Sequence, residues 1–160
     1  MNIAIIPARK GSKRIKNKNF KKFFGRPIIS YTIKVAKKIK IFDQVIVSTD
    51  SKKIARIARK YGASVPYIRE KRYSGDYVDT QIVIQDAIRT LKKKYSKKIN
   101  FVCCVYPANP LLLKKNILYG FKQVKKNKSK YVFPVTTYKY SILKSFSLNK
   151  NNKLKMFFKN

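Results

Sequence analysis

The sequence predicts an α/β fold, a three-layer αβα arrangement with helices on both faces of a mostly parallel sheet. Short β-rich apolar runs alternate with segments of helical periodicity in the order βαβαβ. Turn residues punctuate the alternation, at Pro7, at residues 25–27 and at Gly62. The 160 residues and 44% hydrophobic content suit one domain of ordinary size with a real core.

The elements follow in chain order. "NIAII", residues 2–6, reads as a buried strand that stops at Pro7. After a basic loop, "GRP" makes a turn, with Pro27 suited to the first helical position; Ile28, Ile29, Ile33, Ala36 and Ile39 then recur at helical spacing. "QVIVS" is a second strand. "SKKIARIARKYG" places Ile54, Ile57, Ala58 and Tyr61 on one helix face and Gly62 just past the helix end. "SVPYI" is a short third strand, and residues 80–94 form a helix with Ile84, Ala87, Ile88 and Leu91 inward. "FVCCVY" is a fourth strand ending at "PANP". A helix near residues 115–125 leads to a further strand, "YVFPV". The last segment, "SILKSFSLNKNNKLKMFF", reads as a hairpin of residues 142–148 and 153–158 around "NKNN".

Forty Lys and Arg against six Asp and Glu give a net charge of +34, far beyond what keeps a small domain soluble. All six acids lie between Asp43 and Asp86. Such asymmetry would suit a nucleic-acid binder. The lysines, however, are spread through nearly every segment alongside many Ile and Asn, as a compositional bias at surface positions would leave them. No zinc-finger spacing, basic zipper or aromatic RNA-binding signature accompanies the charge, so no specific nucleic-acid partner is expected. The adjacent Cys103 and Cys104 sit in an apolar run as small buried side chains; neighbours on a strand point to opposite faces, which disfavours a disulfide between them. No signal peptide and no long apolar segment is read in the sequence, so the expected location is cytoplasmic, with no membrane partner.

In open parallel sheets ligands bind at the carboxyl ends of the strands. "PARKGSKR" follows the first strand, "TDS" the second and "YPANP" the fourth, so three loops are expected to converge on one edge. Gly11 would let the backbone approach an anion, Ser12 and nearby N–H groups can donate, and Arg9, Lys13, Arg14 and Lys18 can neutralise a triphosphate. The loop matches neither of the common glycine-rich phosphate motifs, "GxxxxGK[ST]" and "GxGxxG". From chemistry alone it is either a nucleotide site or a solvated basic loop. Asp50 in "STD" can be read as the cap of the helix that follows.

"IIPARKGSKRIKNKN" and "FDQVIVSTDSKKIARIARKYGASVP" closely resemble the cytidylyltransferases that activate nonulosonic (sialic-type) acids as CMP-sugars, and the motifs keep that family's order and spacing. The fourth-strand loop reads "YPANP", with Tyr106 where the pseudaminic branch typically carries Tyr in "YPTAP"; Asn109 departs from the usual small residue. The resemblance implies a Rossmann-like nucleotide-diphospho-sugar transferase fold. It also implies a reaction in which the anomeric hydroxyl of a nonulosonic acid attacks the α-phosphorus of CTP and releases pyrophosphate, with Mg²⁺ as cofactor and a possible homodimer. On that basis Ala8, Arg9, Lys10, Gly11, Ser12, Lys13 and Arg14 form the nucleotide loop, Arg9 and Lys18 are catalytic and Asn19 helps bind the cytidine. Arg69, Asp76 and Thr80 lie near the nucleotide, and Tyr106 and Asn109 near the sugar.

The same resemblance sets residues 1–137 as the CTP-binding domain. Residues 138–160 would be a hairpin that begins a dimerisation excursion, with the family's C-terminal part missing and the chain a truncated member. No carboxylate follows Asp86. Mg²⁺ takes oxygen ligands, usually one or two carboxylates plus phosphates, so no metal ligands are identified in this chain.

Overall fold

The computed structural model describes residues 1–127 and 130–158. In chain order the regular elements are β1 (Asn2–Pro7), β2 (Lys22–Phe23), β3 (Arg26–Pro27), α1 (Ile28–Lys37), β4 (Gln44–Ser48), α2 (Lys52–Lys60), α3 (Thr80–Lys94), β5 (Phe101–Cys104), α4 (Lys114–Asn127), β6 (Phe146–Leu148) and β7 (Leu154–Met156), with short 3-10 turns at Lys18–Phe20, Lys71–Tyr73 and Ile142–Lys144. Two compact units result, Met1–Tyr119 and a second beginning at Gly120.

The first unit is built on a parallel sheet in the order β4-β1-β5. β1 pairs with β4 from Ile3↔Gln44 to Pro7↔Ser48 and with β5 from Asn2↔Phe101 to Ile5↔Cys104. A parallel bridge from Ile46 to Ser64 extends the sheet beyond β4. The chain therefore steps outward from β1 through β4 to Ser64, then returns to β1's other side for β5. That reversal of strand order is the topological switch at which α/β sheets leave a crevice for ligands.

Side chains alternate across a strand, and β1 shows what this does to the core. Ala4 and Ile6 pack with Ile29, Ile33 and Ala36 of α1 and Ile54 and Ala58 of α2. Ile3 and Ile5 pack on the other face with Ile46 and with Ala87 and Leu91 of α3. These are the three expected layers. Ile3, Ile5, Ile6, Ile29, Ile33 and Ile46 are fully buried, each contributing roughly 1.5–3 kcal/mol by leaving water.

Local chemistry sets the helix ends. The β2–β3 hairpin turns through Phe24 (φ 43°) and Gly25 (φ 75°), both in the left-handed region that a tight two-residue hairpin requires. Pro27 stands just before α1, with ψ 130°, because it is still paired to Lys22; the expected first helical position falls to Ile28. Gly62 (φ 87°) ends α2 as expected. Its N–H donates to Arg59 O at 2.9 Å and Ala63 N–H to Ala58 O at 3.0 Å, the paired bonds of a glycine-terminated helix.

Two expected strands differ. "SVPYI" contributes only the Ser64 bridge, and Pro66 two residues later has no N–H to continue a ladder. "YVFPV" is unpaired: Tyr131, Phe133 and Val135 are exposed, and no other described strand lies beside them. In the second unit β6 and β7 pair antiparallel from Phe146↔Met156 to Leu148↔Leu154. The hairpin is shorter than expected because residues 142–144 wind into a 3-10 turn capped by Ser141. Asn149 Oδ1 accepts from the N–H groups of Asn151 and Lys153, both at 2.9 Å, and closes the turn. Residues 159–160 of the expected C-terminal segment lie outside the described residues.

Candidate active site

Where β1 ends, the Ala8 N–H donates to Ser48 O at 2.9 Å, carrying the pairing with β4 one residue further. The basic loop leaves from there and is pinned twice. Lys10 N–H donates to Asp50 Oδ1 at 2.8 Å, and Asn19 Nδ2 donates to Arg9 O at 2.9 Å. Asn19 is buried in the 3-10 turn beneath the loop, and its Oδ1 has no protein partner. Asp50 does not cap α2; Ser51 does, accepting from Ile54 N–H at 3.3 Å. The neighbouring serine takes the capping role, and the carboxylate is left to hold the loop.

Between these anchors lies an open cavity of about 480 Å³. Lys10, Gly11, Ser12, Asp50, Lys71 and Ser74 are among the residues that line it. A Cβ built on Gly11 would meet nothing within 4 Å, so the backbone there faces free space and a ligand can approach it closely. Arg9 Nη1 lies 2.5 Å and Lys13 Nζ 2.8 Å from the carboxylate oxygens of Asp76. The hydrogen bonds from Lys13 and Arg9 hold the Asp76 carboxyl below the usual carboxylate range. The two cations are thus spaced to grip one compact anion, which in this chain is Asp76.

Arg69 is 4% exposed. Its N–H donates to Thr49 O at 2.8 Å and its Nε to Ser74 Oγ at 3.2 Å. Burial pushes the Arg69 pKa down, while Asp50, the largest opposing charge, pushes it up. The Arg69 side chain is thus held by its hydrogen bond to Ser74 and favoured by the nearby charge of Asp50. Asp50 therefore supports two parts of the site, the loop backbone and Arg69.

The loop after β5 carries Tyr106, exposed as expected of a loop residue, with its hydroxyl 3.4 Å from Thr80 Oγ1 at the start of α3. Beneath it, buried Thr32 of α1 points its hydroxyl at three carbonyls of "YPANP". Among the expected residues, Lys10, Gly11 and Ser12 line the cavity, Arg9 and Lys13 meet at Asp76, and Arg69 reaches the cavity through Ser74. Arg14, Lys18 and Asn109 are exposed and do not line it, and Ala8 is buried, contributing backbone only. Asp50 as an anchor, Thr32, Lys71 and Ser74 were not singled out from sequence.

Among the described residues no three His, Cys, Asp or Glu side chains gather as a metal site. Asp50 commits one oxygen to Lys10 and Asp76 is held by two cations. The donor set therefore does not fit a resident Mg²⁺. Among the same residues no helix is long and apolar enough to cross a membrane.

Comparison with known proteins identifies the family. A family model described as cytidylyltransferase matches residues 3–159. The chain is 42% identical over 156 residues to the pseudaminic acid cytidylyltransferase of Campylobacter jejuni, covering 98% of this chain and 67% of that protein. It is 40% identical over 110 residues to the CMP-N,N'-diacetyllegionaminic acid synthase of Legionella pneumophila, covering 68% and 46%. In structure it is similar to a CMP:2-keto-3-deoxy-manno-octonic acid synthetase complexed with CTP, with a TM-score of 0.67 and 15% identity over 80% of this chain and 48% of that one. That structural likeness speaks for the Rossmann-like α/β fold alone. With a family match along nearly its whole length and a relative of 42% identity, the chain belongs to the cytidylyltransferase family.

Proposed function

We propose that the protein transfers CMP from CTP to the anomeric hydroxyl of a nonulosonic acid, with pseudaminic acid as the first candidate. The observation that carries this reading is the grip of Arg9 and Lys13 on one carboxylate beside the Gly11 cavity, in a chain whose relatives include pseudaminic acid cytidylyltransferases. A phosphate group would take the place of that carboxylate. The sugar hydroxyl gives its proton to solvent water and its oxygen forms the new bond to the α-phosphorus; the bond from the α-phosphorus to the bridging oxygen breaks, and pyrophosphate leaves with the electron pair.

In this reading Arg9, Lys10, Ser12, Lys13 and Arg14 bind the phosphates, and Lys18 answers the charge that grows on the leaving group. Asn19 sets the loop under the cytidine, and Arg69, Asp76 and Thr80 border the nucleotide. Tyr106 and Asn109 contact the sugar. Any Mg²⁺ would enter with the triphosphate as part of the substrate, since the described residues gather no ligand set for it. The setting is the cytoplasm, and the exposed hairpin is the candidate contact for a second copy.

The test is calorimetry with CTP, UTP, ATP and GTP. CTP should bind distinctly more tightly than the others, and Arg9→Ala should abolish that binding, whereas Lys18→Ala should slow transfer more than it weakens CTP. Equal affinity for all four would return the loop to generic positive charge.

A further inference from the structure

We propose that Thr32 is a positioning residue that fixes the sugar-facing loop, and with it Tyr106, relative to the nucleotide cradle; the role in sugar binding rests on the function proposed above. Thr32 lies in the middle of α1 and is fully buried. Its Oγ1 is 3.1 Å from Pro107 O, 3.3 Å from Tyr106 O and 3.4 Å from Asn109 O. One hydroxyl proton therefore serves three converging acceptors, with the shortest contact, to Pro107, buried.

The loop needs such an anchor because of its own sequence. Pro107 and Pro110 remove two backbone donors within "YPANP". The backbone bonds that flank it are Val105 N–H to Ile5 O at 2.9 Å and Leu112 N–H to Asn109 O at 3.3 Å. Between them the carbonyls of Tyr106 and Pro107 turn to Thr32, and Asn109 O is shared between Thr32 and Leu112 N–H.

Tyr106 is thereby held from two directions. Its backbone is fixed by α1, which covers the Ala4 and Ile6 face of the sheet, and its hydroxyl meets Thr80 of α3, which covers the Ile3 and Ile5 face. It stands just beyond the carboxyl end of β5, beside β1, where the strand order reverses. A shift of this loop would move the sugar-side contacts while the loop after β1, pinned by Asp50 and Asn19, stayed in place.

Three forms of the full chain are compared: unsubstituted, Thr32→Val, which keeps the shape and removes the donor, and Thr32→Ser, which keeps the hydroxyl. Amide hydrogen exchange over residues 105–112 reads the clamp without any ligand. Calorimetry with the cytidine triphosphate analogue bearing an α,β-methylene bridge, which blocks transfer, reads nucleotide affinity. Titration of pseudaminic acid into the analogue-loaded chain reads the sugar side.

Thr32→Val should speed exchange in residues 105–112, change analogue affinity by less than about twofold, and weaken pseudaminic acid by roughly five- to a hundredfold, the range for a buried hydrogen bond left unmade. Thr32→Ser should restore both readouts. Unchanged exchange in Thr32→Val would overturn the clamp. Faster exchange with unchanged sugar affinity would overturn the positioning role. Faster exchange together with no pseudaminic acid binding by the unsubstituted chain would overturn the function proposed above, and the sugar role with it, while the clamp itself stood.

Discussion

The Asp76 carboxylate lies between Arg9 and Lys13, 2.5 Å from Arg9 Nη1 and 2.8 Å from Lys13 Nζ. A phosphate that uses those two cations must displace it. Asp76→Asn should therefore tighten binding of inorganic tripolyphosphate by a few-fold, because the neutral amide competes less well for both cations. Weaker binding in calorimetry would show instead that Asp76 shapes the cradle. The pH dependence has a definite sign. A folded-state pKa lowered below the unfolded value of about 3.9 gives a contribution fully present above that value and lost as pH falls through the folded pKa. The tether should thus be unchanged from pH 5 to pH 8.

Asp50 accepts from Lys10 N–H and is the largest opposing charge on buried Arg69. Asp50→Ala removes both supports. It should weaken CTP by about tenfold and lower stability by roughly 1–3 kcal/mol. Asp50→Asn keeps an acceptor for the loop but not the charge, so it should fall between the two. Urea melts and CTP titration of the three proteins check the order.

Two glycine-to-alanine changes should move stability in opposite directions. Gly62 has φ 87°, with only Lys37 Cε near a built Cβ, at 3.7 Å, so its cost comes from the left-handed backbone, roughly 1–2 kcal/mol. Gly120 lies inside α4 and a Cβ there meets nothing within 4 Å. Gly120→Ala should stabilise α4 by about 0.5–1 kcal/mol. Thermal melts followed by circular dichroism at a helix wavelength distinguish them.

Burial pushes the Cys103 thiol up to about 11. At neutral pH its thiolate fraction is then more than a hundredfold below that of a free cysteine near 8.5. Iodoacetamide should label Cys103 correspondingly slowly in the native chain and at the ordinary rate in urea. Rapid native labelling, located by mass spectrometry, would show that the strand opens readily.

The core was legible in the sequence because burial imposes period. Ile29, Ile33 and Ala36 on α1 and Ile54 and Ala58 on α2 sit where helical spacing puts them. The third strand shrank to Ser64, and "YVFPV" stayed unpaired, because strand formation depends on neighbours that local pattern does not reveal. The basic loop was legible as charge and one glycine. Its anchors were not: Thr32 is one hydroxyl in an apolar stripe, and Asp50 resembles a helix cap until Ser51 is seen to do that work. Asp76 was expected beside the nucleotide, yet nothing in the order of residues shows that Arg9 and Lys13 close on it.

The six acids of this lysine-rich chain are all engaged. Asp43 binds Asn2 N–H at 2.5 Å, Asp50 binds Lys10 N–H, and Glu70 pairs with Arg72 at 2.9 Å. Asp76 bridges Arg9 and Lys13, Asp79 caps α3 through Gln81 N–H at 2.7 Å, and Asp86 lies buried within the field of Tyr67 and Arg69. Five of the six carboxylates hold a donor directly and Asp86 acts on Arg69 through its charge, so a lysine at any of these positions would lose an acceptor or bring two cations together. An engineer seeking a less sticky protein should leave these six untouched and introduce glutamate at exposed lysines such as Lys122 or Lys126, where a reversed sign would relieve self-repulsion without removing a built contact.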